Sequence, residues 1–216
     1  MTVVAEIKRR SPSRGSLQES MDVTVRARDY AAGGAVAISV LTEPAEFGGS
    51  NEDLIRVRAA VTCPVLRKDF HVDPVQVLEA RAIGASAVLL IVRALGPSGT
   101  RTMSAAARDA GIEALFEVRD EAELEWALEA GGELIGVNRR NLESLAMEPD
   151  VLERLLPAIP ATCVAIAESG IRLRADVAAV ATLGVDAVLV GGALSTSAGA
   201  SDAVRALPGY PRTGRG

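Results

Sequence analysis

Ala110-Gly111-Ile112-Glu113-Ala114-Leu115-Phe116-Glu117-Val118 leads into Asp120-Glu121-Ala122-Glu123-Leu124-Glu125-Trp126-Ala127-Leu128, then Ala130-Gly131-Gly132 and Leu134-Ile135-Gly136-Val137. The outer pieces are short apolar runs of strand length. The piece between them has the spacing of an amphipathic helix. A glycine stands where that helix must stop, and glycine takes a left-handed cap without steric cost. The unit reads helix, glycine, strand, and it recurs outward in both directions. Apolar runs lie at Val3–Ile7, Ala35–Val40, Val65–Leu66, Ala87–Val92, Ala114–Val118, Leu134–Val137, Val164–Ala167 and Ala187–Val190, eight in 216 residues or about one every 27. Glycines at 33–34, 84, 111, 131–132 and 184 mark the junctions. Strands that are apolar throughout belong to a parallel sheet covered on both faces. Eight strand–helix units close into a (βα)8, or TIM, barrel, whereas six or fewer fit an open doubly wound sheet. The expected architecture is α/β, one compact barrel over residues 1–207, with Pro208–Gly216 as a loose tail.

Composition removes several function classes. Twenty-eight acidic residues outnumber 23 basic ones and aromatics are only 3%, so no basic face with stacking rings is available for nucleic acid. Two cysteines (Cys63, Cys163) and one histidine (His71) exclude a disulfide framework and show no zinc-ligand spacing. No metal site is expected. No apolar run reaches membrane-helix length, and the chain enters its first strand at Val3 without a signal peptide, so a cytoplasmic, reducing compartment is expected. Dinucleotide, P-loop and serine-hydrolase motifs do not occur. Of the 23 basic residues 21 are arginine, which singles out the two lysines, Lys8 and Lys68. Lysine is a compact charge whose pKa can move into a working range, and arginine is not.

In a (βα)8 barrel the chemistry lies at the C-terminal ends of the strands. Both lysines fall there, as do three glutamates within apolar runs, Glu6, Glu117 and Glu168. An ionised carboxylate in a barrel mouth is costly unless paired or used. Beside a partly desolvated lysine it provides an acid and a base of separable pKa. Ser169-Gly170 and Gly191-Gly192, after the seventh and eighth runs, lack bulk and can turn backbone N–H groups toward a phosphate, with Arg140 as a bidentate clamp. His71 reads as a loop residue flanking Lys68, and Asp69 as a group that orients Lys68 or caps a helix. Tyr30 and Trp126 read as packing residues, and Asp22 with Thr24 as a helix start. None of these receives a chemical role.

Ala5-Glu6-Ile7-Lys8-Arg9-Arg10-Ser11-Pro12-Ser13-Arg14-Gly15 resembles the opening motif of the indole-3-glycerol phosphate synthases. Ser39–Glu43, Phe47–Ser50, Pro64–Phe70, Leu89–Val92, Glu117-Val118, Gly136–Leu142 and Ala167–Ile171 are similar to later blocks, in the same order, so that the resemblance spans about residues 3–195. It implies closure of 1-(2-carboxyphenylamino)-1-deoxyribulose 5-phosphate to an indole with loss of CO₂ and water. It implies Lys68 as general acid and Glu117 as general base, supported by Glu6, Lys8, Asn138, Glu168 and Ser169. Ser11, Arg140, Gly170, Gly191 and Gly192, with Phe47, Phe70 and Leu89, would hold the substrate and its phosphate. No cofactor is implied, since the decarboxylation rearomatises the ring; other tryptophan-pathway enzymes are the implied partners. Three departures stand out. The family carries some tens of residues before its first strand, so a more open mouth with water-screened, less perturbed Lys68 and Glu117 is expected here. Arg139 replaces a small or amide residue, and Gly192 a residue whose side chain contacts phosphate. A Schiff-base aldolase using a strand-end lysine, a sugar-phosphate isomerase and a catalytically weakened scaffold barrel are the competing readings.

Overall fold

The computed structural model describes residues 1–12, 15–18, 20–141, 143–197, 199–207 and 209–211. Residues 13, 14 and 142 of the motifs above, and 208 and 212–216 of the expected tail, lie outside them. Eight parallel strands close on themselves: β1 (Thr2–Ile7), β2 (Ala37–Leu41), β3 (Val65–Lys68), β4 (Ala87–Ile91), β5 (Glu113–Val118), β6 (Leu134–Asn138), β7 (Val164–Glu168) and β8 (Ala187–Val190). Each pairs with the next, and β8 returns to β1 with Thr2 beside Ala187 and Ala5 beside Val190. Around them run α1 (Val23–Ala32), α2 (Pro44–Phe47), α3 (Asn51–Ala60), α4 (Pro74–Ala82), α5 (Val92–Asp109), α6 (Glu121–Glu129), α7 (Val151–Leu155), α8 (Arg174–Ala181), α9 (Gly192–Ser195) and α10 (Ala200–Arg205). This is the expected (βα)8 barrel. No helix among the described residues is long and apolar enough to cross a membrane.

The strands are apolar throughout because both faces are buried. Val3, Ala5, Ile38, Val88, Leu90 and Val188 pack outward against the helices. Val4, Leu66, Leu89, Leu115, Ile166 and Leu189 fill the barrel interior. Successive strand residues alternate between faces. The inward row therefore runs from Val4 to Glu6, from Leu66 to Lys68, from Leu115 to Glu117 and from Ile166 to Glu168. That parity brings the polar residues of different strands into one mouth.

Several strand boundaries differ from the sequence reading. β2 begins at Ala37, because Ala35 still closes the preceding turn, its N–H bonded to the Tyr30 carbonyl. β3, β6 and β7 continue through Lys68, Asn138 and Glu168, which hold ladder positions opposite Leu41 and each other. Loss of hydrophobicity is not loss of strand where a residue faces a polar mouth. Asp22 caps α1 as expected, accepting from the N–H groups of Thr24 and Val25. Within the described part of the tail, the Tyr210 carbonyl accepts from the Met1 ammonium at 3.1 Å.

Candidate active site

All the residues singled out in the sequence for catalysis or binding line one cavity of about 290 Å³ at the C-terminal ends of the strands. Its floor is a charged network. The Lys68 Nζ donates to Glu117 Oε2 and to Glu168 Oε2, each at 3.2 Å. Glu117 Oε1 accepts from Asn138 Nδ2 at 3.0 Å. Asn138 Oδ1 accepts from the Ser169 hydroxyl at 2.8 Å and from the Arg140 N–H at 3.0 Å. Lys8 donates to Glu6 Oε1 at 2.6 Å. Glu6, Glu117 and Glu168 are each less than 5% exposed.

Two inward glycines make room for these carboxylates. A Cβ on Gly136 would lie 2.2 Å from Glu168 Oε1, and one on Gly191 2.2 Å from Glu6 Oε1. Gly191 thus has a steric role toward Glu6 that the sequence reading, which saw only a phosphate loop, did not contain. Gly136, which the sequence shows only as part of a strand and a family block, has the same role toward Glu168; its signal is a glycine at an inward strand position, where a side chain is the rule.

Burial pushes the Glu168 carboxyl up to about 8, and the charge on Glu117 adds to the shift against the opposing pull of Lys68. Burial alone would lower the Lys68 pKa, but Glu168, Glu117 and Glu6 together outweigh it and hold the ammonium above the ordinary lysine value. Burial likewise opposes ionisation of Glu6, and Lys8 and Lys68 overcome it, so its pKa is lowered. Three carboxylates facing two ammoniums leave one excess negative charge, and near neutrality a proton on Glu168 removes it. This corrects two expectations. Lys68 is not tuned downward. Nor is the network screened by water, because the barrel wall itself buries it.

Part of the mouth is built from backbone. Ser169 (φ 63°) and Gly170 (φ 73°) turn through the left-handed region after β7, and Gly191, Gly192 and Ala193 follow the neighbouring strand β8 and line the same cavity. Arg140 lines the wall and donates to the Leu145 carbonyl at 2.8 Å. The Ser11 hydroxyl is buried without a partner among the described residues. Leu89, Ile91 and Leu189 form the apolar part of the wall, and the Phe47 and Phe70 rings lie 6.4 Å apart at the rim. Phe47 is presented by α2, whose N–H groups are capped by Glu43.

Glu43, Asp69 and Arg172 also line the cavity. Asp69 accepts from the Thr42 hydroxyl and from the Phe70 N–H, which anchors the turn after Lys68. His71 lies in the loop after Lys68, as expected, and is buried there; its Nδ1 lies 2.8 Å from the Leu89 carbonyl oxygen.

A barrel mouth holding a lysine–carboxylate network and two glycine-bearing loops is the arrangement that the resemblance in the sequence anticipated. The family model for indole-3-glycerol phosphate synthase matches residues 1–207. The chain belongs to the indole-3-glycerol phosphate synthase family. A protein of that name from Nocardioides sp. is 53% identical over 208 residues, covering 96% of this chain and 80% of the relative. Indole-3-glycerol phosphate synthase 1 of Streptomyces coelicolor is 50% identical over 205 residues, covering 95% and 76%. Among solved structures, 3-hexulose-6-phosphate synthase from Salmonella typhimurium superposes with a TM-score of 0.77 at 18% identity, covering 96% of each chain. At that identity the likeness concerns the fold. The site geometry above belongs to a member of the indole-3-glycerol phosphate synthase family, and all its elements lie within the matched residues.

Proposed function

We propose that this barrel closes 1-(2-carboxyphenylamino)-1-deoxyribulose 5-phosphate to indole-3-glycerol phosphate, with loss of CO₂ and water. The observation that carries the reading is the Lys68 ammonium, held between Glu117 and Glu168 in a cavity that Gly170, Gly191, Gly192 and Arg140 also line. The substrate has an aromatic carboxylate at one end and a phosphate at the other. Phe47 and Phe70 with the aliphatic wall suit the ring. Gly170, Gly191 and Gly192 suit the phosphate, with Ser11 and Arg140 supplying donors.

Attack of the ring carbon on the ketone carbon makes an alkoxide, and Lys68 delivers a proton to that oxygen. Glu168 carries a proton near neutrality 3.2 Å from Lys68 and can replace the one given. CO₂ leaves as the ring recovers its aromaticity. Dehydration then needs a base and a second proton donor. Glu117, oriented by Asn138, serves as the base, and Lys8 with Glu6 forms the other donor–acceptor pair. Transfer within a buried network is strong because water does not screen it.

A Schiff-base aldolase is less well supported, since a nucleophilic amine must be neutral and the surrounding carboxylates keep Lys68 charged. The reading implies cytoplasmic tryptophan biosynthesis, with other enzymes of that route as partners to test by co-purification. Purified protein mixed with the carboxyphenylamino-deoxyribulose phosphate should develop indole fluorescence. Borohydride added with a keto-phosphate should leave no adduct on Lys68; an adduct without indole formation would support the aldolase instead.

A further inference from the structure

Behind each backbone loop of the mouth sits an arginine that holds main-chain oxygens; Arg26 also lies over the Tyr30 ring, 5.8 Å from its centroid. Arg139, half-buried, donates from Nε and Nη2 to the Ser169 carbonyl at 3.2 and 2.7 Å. Its guanidinium packs on the next residue, so that a Cβ on Gly170 would come within 2.8 Å of Nη2. Arg26, on α1 and 9% exposed, donates from Nη1 to the carbonyls of Leu194 and Ser197 at 3.0 and 2.9 Å. Its Nη2 donates to Gln18 Oε1 at 2.8 Å. Gln18 follows the hairpin after β1 and is itself tied by its N–H to the Arg9 carbonyl, next to Lys8. Eight other arginines pair with carboxylates. Among the described residues neither Arg26 nor Arg139 has such a partner.

In a trans peptide the C=O and the following N–H point in opposite directions. Fixing the Ser169 oxygen on Arg139, outside the cavity, therefore turns the Gly170 N–H the other way, toward the cavity that Gly170 lines. The same grip holds Ser169 at φ 63°, a left-handed conformation that is strained for a non-glycine residue. Asn138, the neighbour of Arg139 on the same strand end, takes the Ser169 hydroxyl. Two consecutive residues thus grip one strained residue by two different atoms. Arg26 does the corresponding work behind β8. It satisfies carbonyls at the far end of α9 and links that turn to the loop carrying Lys8. Each guanidinium also brings a positive charge that no carboxylate within ion-pair distance cancels among the described residues, although Asp176 acts on Arg139 from farther away.

We propose that Arg139 and Arg26 are positioning residues for the substrate phosphate, bracing the two loops from behind and giving them a net positive field without touching the ligand. The proposal rests on the reading that these loops hold the phosphate. It follows that phosphate affinity does not depend on a side chain at position 192, where this chain has glycine.

The probe is inorganic phosphate, measured by calorimetry and as a competitive inhibitor of turnover, alongside KM, kcat and thermal melting. Gly170→Val controls for the underlying reading. Wild-type protein should bind phosphate and Gly170→Val should not; if both bind equally, or neither does, the loops are not the phosphate site and the proposal falls with that reading. Where the control behaves as expected, Arg139→Gln should weaken phosphate and raise KM by about tenfold, the worth of one charge-assisted contact, with a smaller loss in kcat. Arg139→Lys keeps the charge but cannot fork two N–H groups onto one carbonyl, and should fall between wild type and Gln. Arg26→Lys, which keeps the buried charge and the fold, should lower phosphate affinity severalfold. Phosphate affinity equal to wild type in both Arg139→Gln and Arg26→Lys, with Gly170→Val inactive in binding, would overturn the proposal. So would a loss seen only in melting temperature.

Discussion

Arg67 and Lys68 are neighbours on β3, both cationic and both largely buried, yet they belong to different parts of the molecule. Arg67 points outward into the layer between barrel and helices. Its Nη1 donates to Glu79 at 2.7 Å and to the Gln76 carbonyl at 3.1 Å, and its Nε donates to the Thr42 hydroxyl at 3.2 Å. Lys68 points inward and meets Glu117 and Glu168. The first arrangement uses the planar fork of arginine to join strand, loop and helix. The second uses a compact ammonium that can give and regain a proton. One step along a strand separates a structural cation from a chemical one, because side-chain direction alternates with a period of two.

The contrast can be broken from the inward side first. Glu117→Gln should keep the hydrogen bond to Asn138 in part but lose the base, lowering kcat by about 10²- to 10³-fold with little change in KM. Steady-state kinetics checks this; an unchanged kcat would move the base elsewhere. Gly136→Ala is a subtler perturbation of the same network. Its methyl would meet Glu168 Oε1, so Glu168 must turn away from Lys68. We expect kcat to fall by roughly tenfold, about 1.4 kcal/mol of barrier, while the protein still folds. Activity equal to wild type would mean that Glu168 is dispensable.

Arg140→Ala should mainly raise KM, by about tenfold, the value of one charge-assisted hydrogen bond. A group that contacts an unreacting part of the substrate binds ground and transition states alike. A collapse of kcat at unchanged KM would reject that role. The smallest effect concerns stability. The folded Glu168 pKa of about 8 lies above its ordinary value of 4.5. Between these pH values the native state holds a proton that the unfolded chain has released. Stability from this group is therefore complete below pH 4.5 and declines as pH rises toward 8, with a slope of at most about 1.4 kcal/mol per pH unit. Denaturant unfolding of Glu168→Gln across that range should show a flatter profile than wild type; identical profiles would indicate that Glu168 is ionised throughout.

Much of this site was legible in the sequence because the barrel forces strand ends to one place and the composition makes two lysines conspicuous. Glu6, Lys8, Lys68, Glu117 and Glu168 follow from those facts alone. The steric roles of Gly191 and Gly136 are not legible in the sequence, because the space each leaves belongs to a side chain on a neighbouring strand. The direction of the Lys68 shift was illegible for a related reason: it depends on how many carboxylates converge, which spacing along the chain does not reveal. Arg139 stands out in the sequence only as a departure from the family pattern and Arg26 not at all, since main-chain acceptors leave no mark in the sequence.

The most direct test is to measure turnover and melting temperature for Lys68→Arg and Arg67→Lys side by side. Lys68→Arg keeps the charge but replaces the compact ammonium between Glu117 and Glu168 with a planar, delocalised group that cannot deliver a proton from the same point. It should melt close to wild type and lose at least about 10²-fold in kcat. Arg67→Lys should do the reverse, losing on the order of 1–3 kcal/mol of stability as buried acceptors go unmet while retaining most of its turnover. If Lys68→Arg kept more than about a tenth of wild-type activity, a barrier loss under roughly 1.4 kcal/mol, the inward lysine would not be the proton donor.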